Sequence, residues 1–162
     1  MKETITYRNI QQSDNAILAA IIRDGIEALG LPSEGTAHSD PTTDNLFGLF
    51  ATPLSHYIVV EINDAIAGGC GIYPSTGLPE KYAELVRFFL DEHARGLGIG
   101  KHLMKQCELI ARGLGYSHLY LESFPEMKAA IHLYKSAGYK VLDAPLGNTG
   151  HFACNVWMLK EL

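Results

Sequence analysis

The sequence predicts a mixed α/β sandwich, a sheet with helices packed on it, and three observations carry that prediction. Short runs rich in β-branched and aromatic residues alternate with longer segments whose apolar residues recur at helical spacing. Between Leu85 and Leu114 an apolar run, a glycine-rich loop and an amphipathic stretch follow one another in the order strand, loop, helix. At 162 residues the chain has the usual size of one domain, spanning 1–162. That length buries roughly 70% of the unfolded surface.

Taken in order, Thr4 to Arg8 alternates apolar and polar residues, the period of a half-buried strand. Ser13-Asp14 offers an N-cap to a helix running to Leu29, with Ile17, Leu18, Ile21, Ile22 and Ile26 on one stripe and Gly30 as its stop. Leu31 to Thr43 mixes Pro, Ser, Gly, His and Asp without periodicity and reads as a loop, followed by a short helix around Asp44 to Phe50. His56 to Ile62 and Ala65 to Tyr73 are strand-like runs joined by the hairpin signal Asn63-Asp64. Gly68, Gly69 and Gly71 in the second run mark a bulge or a close backbone approach. After the loop Pro74 to Lys81, residues Leu85, Val86, Phe88, Phe89 and Leu90 have the pattern of a strand buried on both faces. In the helix after the glycine loop, Leu103, Met104, Cys107, Ile110, Ala111 and Leu114 share one face. His118 to Ser123 is a further strand, Met127 to Ala137 a helix closed by Gly138, and Tyr139 to Leu142 and Phe152 to Lys160 the last two strands.

The glycine loop, Arg95-Gly96-Leu97-Gly98-Ile99-Gly100-Lys101, is the most informative segment. Glycine lets the backbone turn with positive φ and approach a ligand, so successive N–H groups converge on one anion, and the unpaired N–H groups of the following helix add to them. Two familiar phosphate motifs do not fit. A P-loop requires glycine where Arg95 stands and a hydroxyl where His102 stands, and a dinucleotide fingerprint requires Gly or Ala in place of Lys101.

Composition narrows the function classes. Hydrophobic residues make up 47% of the chain, and no segment has the ~18 uncharged apolar residues of a membrane span. The N-terminus lacks an apolar signal core, and Cys70, Cys107 and Cys154 show neither even pairing nor ligand spacing, so a cytoplasmic location is expected. A net charge of −5 argues against nucleic-acid binding and slightly favours cationic partners. The histidines are not spaced to build a metal site.

The loop resembles the Arg/Gln-x-x-Gly-x-Gly signature of the GNAT (GCN5-related N-acetyltransferase) superfamily, and the likeness extends to its surroundings. Ala83 to Ala94 reads like that family's fourth strand and the loop after it. Ala130-Ile131-His132-Leu133-Tyr134 followed by Ala137-Gly138-Tyr139 resembles its second signature, about 30 residues on and in the right order. The resemblance implies a central mixed, mostly antiparallel sheet whose fourth and fifth strands splay apart to admit acetyl-CoA. It also implies pantetheine pairing along Phe88, Phe89 and Leu90, with the pyrophosphate held at Arg95, Gly96, Leu97, Gly98, Ile99, Gly100 and Lys101. Met127 stands where the family commonly has an asparagine that hydrogen-bonds the cofactor.

Acetyl transfer to an amine needs a base for the ammonium proton and an acid for the departing thiolate. Tyr134 falls where the family keeps its proton donor, with a core tyrosine as the alternative. Glu84 matches the base of histone-acetylating members. Alternation sets it on one face with Val86, Phe88 and Leu90, where desolvation would raise its pKa; a strand-end salt bridge is the competing reading. Tyr120 and Glu122, on one face of the following strand, and His151, on a glycine-flexed loop, are candidates for touching the acceptor. The expected activity is acetyl transfer from acetyl-CoA to a small-molecule primary amine by direct attack in a ternary complex. A non-catalytic acyl-CoA sensor is the alternative. Val156, Trp157 and Met158 are candidates for covering a neighbour's sheet edge in a homodimer.

Overall fold

Every pair of neighbouring strands but one is antiparallel, and the exception makes the opening on which the site depends. The computed structural model describes residues 2–162. In chain order the elements are β1 (Ile5–Asn9), α1 (Asn15–Ala28), α2 (Leu46–Leu49), β2 (His56–Ile62), β3 (Ala65–Tyr73), β4 (Tyr82–Leu90), α3 (Ile99–Gly113), β5 (His118–Ser123), α4 (Lys128–Ser136), β6 (Lys140–Leu142) and β7 (Val156–Glu161). They form one seven-stranded sheet in the order β1-β2-β3-β4-β5-β7-β6.

Alternation sorts the apolar side chains into two cores, one on each face of the sheet. Tyr57 and Val59 of β2 pack with Leu18, Ile22 and Ile26 of α1. Ile58 and Val60 point the other way and pack with Leu103, Met104 and Cys107 of α3. In α1 the stripe is narrower than the sequence suggests, since Ile17 is 49% exposed. The expected N-cap is also replaced. Asp14 accepts from the Gln11 N–H at 2.7 Å and from both terminal nitrogens of Arg8, so it ties the first strand to a short 3-10 turn ahead of the helix. Asn63 and Asp64 both have positive φ, 51° and 66°, which is the type I′ geometry of a two-residue hairpin.

β4 and β5 pair in parallel only through Tyr82 with His118, Ala83 with Leu119 and Glu84 with Tyr120. Beyond Glu84, β4 continues to Leu90 without a partner on that side, while β5 pairs along its whole length with β7. The sheet therefore opens between its two central strands.

A bulge in β4 corrects the alternation expected there. Gly69 and Gly71 of β3 pair with Phe89 and Val86, so the single residue Cys70 faces both Arg87 and Phe88. Arg87 takes the extra position at φ 52°. The shift moves Phe88 and Leu90 to the α3 face beside Leu85, whereas Val86 and Phe89 pack on the α1 face. Glu84 thus does not share a face with Phe88 and Leu90, as strict alternation would have it.

The last strand is shorter than expected. Residues 152 and 153 form a turn and Cys154 lies in the irregular stretch after it rather than in a strand, and the strand begins at Val156. β7 is bordered by β5 along Val156 to Glu161 and by β6 at Trp157, Met158 and Leu159.

Candidate active site

The opening between β4 and β5 leads into a cleft lined by the end of α1, by β4, by the end of β5 and by the start of α4. Apolar walls come from Ile26 and Leu31 at the end of α1, Phe88 and Phe89 of β4, and Met127 at the start of α4. Against these walls lie a few polar groups: Glu84, Arg87, Glu122, Tyr134, His151 and Cys154.

Glu84 sits at the point where the parallel pairing ends. Its side chain is buried, and Ser75 Oγ donates to its Oε1 at 2.5 Å. Burial is the main cause that pushes its pKa up, from 4.5 to about 8; the nearby Glu122 adds to the rise, while the Ser75 hydrogen bond and the Arg87 charge oppose it. A carboxyl group poised there is half ionised near pH 8 and exchanges protons readily with an amine. The salt-bridge alternative is not realised, since no cation pairs with Glu84 among the described residues.

Tyr134 approaches from the opposite face. It belongs to the α3-side core, where its ring meets Phe88 edge-on at a centroid distance of 6.2 Å. Its hydroxyl has no hydrogen-bond partner among the described residues, yet it is not sealed away; the only sealed, unpartnered side-chain polar atom is Tyr139 Oη. Burial raises the phenol well above its ordinary value of 10, so it stays protonated and able to donate.

Tyr120 is fully buried and does not line the cleft, which corrects its expected role in touching an acceptor. Its hydroxyl donates to Glu122 Oε2 at 2.6 Å and accepts from the Leu146 N–H at 3.1 Å. It thereby positions both the cleft carboxylate and the loop above it. Glu122 does line the cleft, with its other oxygen accepting from Thr149 Oγ1.

His151 reaches the cleft as well, and its Nε2 lies 2.8 Å from Asp40 Oδ2. Asp40 is a hub that the sequence did not single out. It also accepts from the Thr42 N–H at 2.9 Å, from Thr42 Oγ1 at 2.7 Å and from Arg87 Nη2 at 3.1 Å. Its burial would raise its pKa, but the hydrogen bonds from Thr42 and His151 and the Arg87 charge outweigh burial and hold the carboxyl well below the usual range. Arg87 was missed too, although an arginine within an apolar strand is the signal that would have found it. Ser75, whose partner is nine residues away across a loop, carried no such signal. Burial pushes the Cys154 thiol up to about 12, which removes the thiolate that a covalent route would need.

The glycine loop lies apart from these groups, ahead of α3. Gly96 and Gly98 have φ of 76° and 75°, and nothing lies within 4 Å of where a Cβ would project. Among the described residues, the N–H groups of Gly96 through Lys101 donate no backbone hydrogen bond; the first in this stretch to do so is His102, to Gly98. Arg95 and Lys101 are exposed at either end of this row, with Leu97 exposed and Ile99 buried as a core anchor. No three His, Cys, Asp or Glu side chains among the described residues are grouped to hold a metal ion. No helix among them is long and apolar enough to cross a membrane.

The Acetyltransferase (GNAT) family model matches residues 23–139. An uncharacterized N-acetyltransferase of Escherichia coli strain K12, YjgM, is 36% identical over 156 residues, covering 96% of this chain and 93% of that protein. Among solved structures, a GNAT-family acetyltransferase from Staphylococcus aureus Mu50 aligns with a TM-score of 0.83 at 17% identity, over 98% of this chain and 99% of that one. The PaiA N-acetyltransferase of Thermoplasma acidophilum, solved in complex with coenzyme A, aligns with a TM-score of 0.77 at 18% identity over the same shares. The matched segment takes in the parallel strand pair, the row of free N–H groups and the helix that carries Tyr134, and the chain belongs to the GNAT family of acetyltransferases.

Proposed function

We propose that the chain transfers the acetyl group of acetyl-CoA to a small-molecule primary amine by direct attack while both are bound, as a single-domain cytoplasmic enzyme. Acetyl-CoA supplies the activated acyl group and a thiolate leaving group. The row of N–H groups from Gly96 to Lys101, with the positive end of α3, suits its pyrophosphate, and Arg95 and Lys101 add charge at the rim. The unpaired edge of β4 at Phe88, Phe89 and Leu90 suits the pantetheine amides, which would add to the sheet as a strand does. Coenzyme A in the related PaiA structure supports this assignment.

In this reading Glu84 takes the proton from the attacking ammonium and Tyr134 gives one to the departing thiolate. The observation that carries the proposal is that these two groups reach one cleft from opposite faces of the sheet. An acid and a base must act on different atoms of the same reaction, and the gap in the sheet lets them do so. The test is calorimetric titration with acetyl-CoA, followed by thiol release from the same sample against a panel of primary amines. Binding with turnover supports the enzyme, whereas binding without turnover by any amine supports an acyl-CoA sensor. Absence of binding removes the cofactor assignment.

A further inference from the structure

Arg87 has a place in the cleft that acid–base chemistry does not use. Its side chain is only 5% exposed, it occupies the bulge at positive φ, and its carbonyl accepts from Tyr57 Oη at 3.0 Å. Nε donates to Thr43 Oγ1 at 3.3 Å, and Nη2 donates to Asp40 Oδ2 at 3.1 Å and to Thr42 Oγ1 at 3.0 Å. Nη1 has no partner among the described residues, and it is not sealed, because the only sealed and unpartnered side-chain polar atom is Tyr139 Oη. Arg87 is among the residues that line the cleft. A guanidinium fixed in this way by Asp40 and two threonines presents a preorganised donor at a set position.

The other charged groups on the lining have the opposite sign. Glu122 is close enough to Glu84 for its charge to act on it, so two carboxyl groups meet at the amine end of the cleft, while Arg87 stands three residues further along the same strand. The walls between are apolar, with Ile26, Leu31, Ala37 and Phe89 among them. A cleft with carboxylates at one end, an Asp40-paired guanidinium with one unpartnered nitrogen at the other and apolar sides complements an amine that also carries a carboxylate and an apolar remainder. The phosphates of the cofactor do not need Arg87, because the N–H row ahead of α3 accounts for them. We infer that the acceptor is an amino-acid-type amine whose free carboxylate binds Arg87 while its amine faces Glu84.

This inference rests on the acetyl-transfer reading, and the experiment separates the two. Rates with acetyl-CoA are measured for L-leucine, L-methionine and L-phenylalanine, and for the amide and the decarboxylated amine of each. The amide's amine is less basic and therefore more available as free base, so a preference for the acid over the amide does not come from basicity. The wild-type protein is expected to favour the acids by at least about tenfold in kcat/KM, roughly the value of one charge-assisted pair. In Arg87→Gln that ratio is expected to collapse toward one, with acetyl-CoA affinity by calorimetry reporting that the fold is kept. If Arg87→Gln does not fold, the wild-type ratio decides alone. Equal or better use of the amides and decarboxylated amines overturns the carboxylate site while leaving acetyl transfer intact. Binding of the acids to the coenzyme A-loaded wild type, in calorimetry, without turnover of any amine, supports the carboxylate site while acetyl transfer fails. Neither binding nor turnover of the acids overturns the inference.

Discussion

In the proposed mechanism, proton transfer at Glu84 sets a sharp pH signature. With its pKa at about 8, kcat/KM for an acceptor of higher pKa is expected to rise through about pH 8 as the carboxyl ionises. Glu84→Gln should remove that limb and lower kcat/KM by about 10²–10⁴-fold. Ser75→Ala should move the limb to higher pH, because the Ser75 hydrogen bond favours the ionised form; a limb that stays in place would separate Ser75 from the base. Tyr134→Phe keeps the ring packing against Phe88 and deletes only the donor, so kcat should fall on the order of 10²-fold with acetyl-CoA affinity retained. Both residues are proposed on their likeness to the family's motifs, and the structure places both at the cleft. Their surroundings were not legible in the sequence, since Ser75, Asp40 and Arg87 acquire their roles only through contacts across loops and the bulge.

At the level of elements, the loop ahead of α3 and the bulge in β4 are the decisive devices. Gly98→Val places a β-branched residue at φ 75°, which costs about 1–2 kcal/mol and lays a side chain beside the N–H row. Thermal melts should show that loss, and calorimetry should show acetyl-CoA binding weakened by at least about tenfold. Gly113→Ala is the matching control. It lies in helical conformation within α3 with open space around it, so the substitution should stabilise by about 0.5–1 kcal/mol and leave binding unchanged. The glycine loop, the amphipathic helix after it and the Asn63-Asp64 hairpin were readable because each depends on local rules of φ and periodicity. The bulge was hidden, because an inserted residue is defined only against its partner strand; the near-continuous apolar run Leu85-Val86-Arg87-Phe88-Phe89 reads as a regular strand with or without it.

At the level of the whole molecule, the proposed binding of acetyl-CoA links cofactor and folding. At a concentration of 100 times Kd, acetyl-CoA should stabilise the protein by about 2.7 kcal/mol, a rise of about 5–10 °C in Tm for a chain of this size. A Tm indifferent to acetyl-CoA would count against the cofactor site. Glu84 adds a pH dependence of its own. Between pH 4.5 and about 8 the folded protein keeps a proton on Glu84 that the unfolded chain releases, so this residue's contribution to stability is lost as pH rises through that window and levels off above it. Comparing urea unfolding of the wild type and Glu84→Gln at pH 6 and pH 9 isolates this contribution; the variant should lose less stability between the two. The sequence by itself determined the alternation of strands and helices and the glycine loop, because these follow from local backbone preference and from the spacing of residue types, and its resemblance to the family's signatures pointed to Glu84 and Tyr134. Only the tertiary structure decided that β4 and β5 part after Glu84, that the bulge turns Phe88 away from Glu84's face, and that Tyr120 supports the cleft instead of lining it. Those outcomes depend on strand register and on which polar atoms find partners across the fold, and both are set by contacts between segments far apart in the chain.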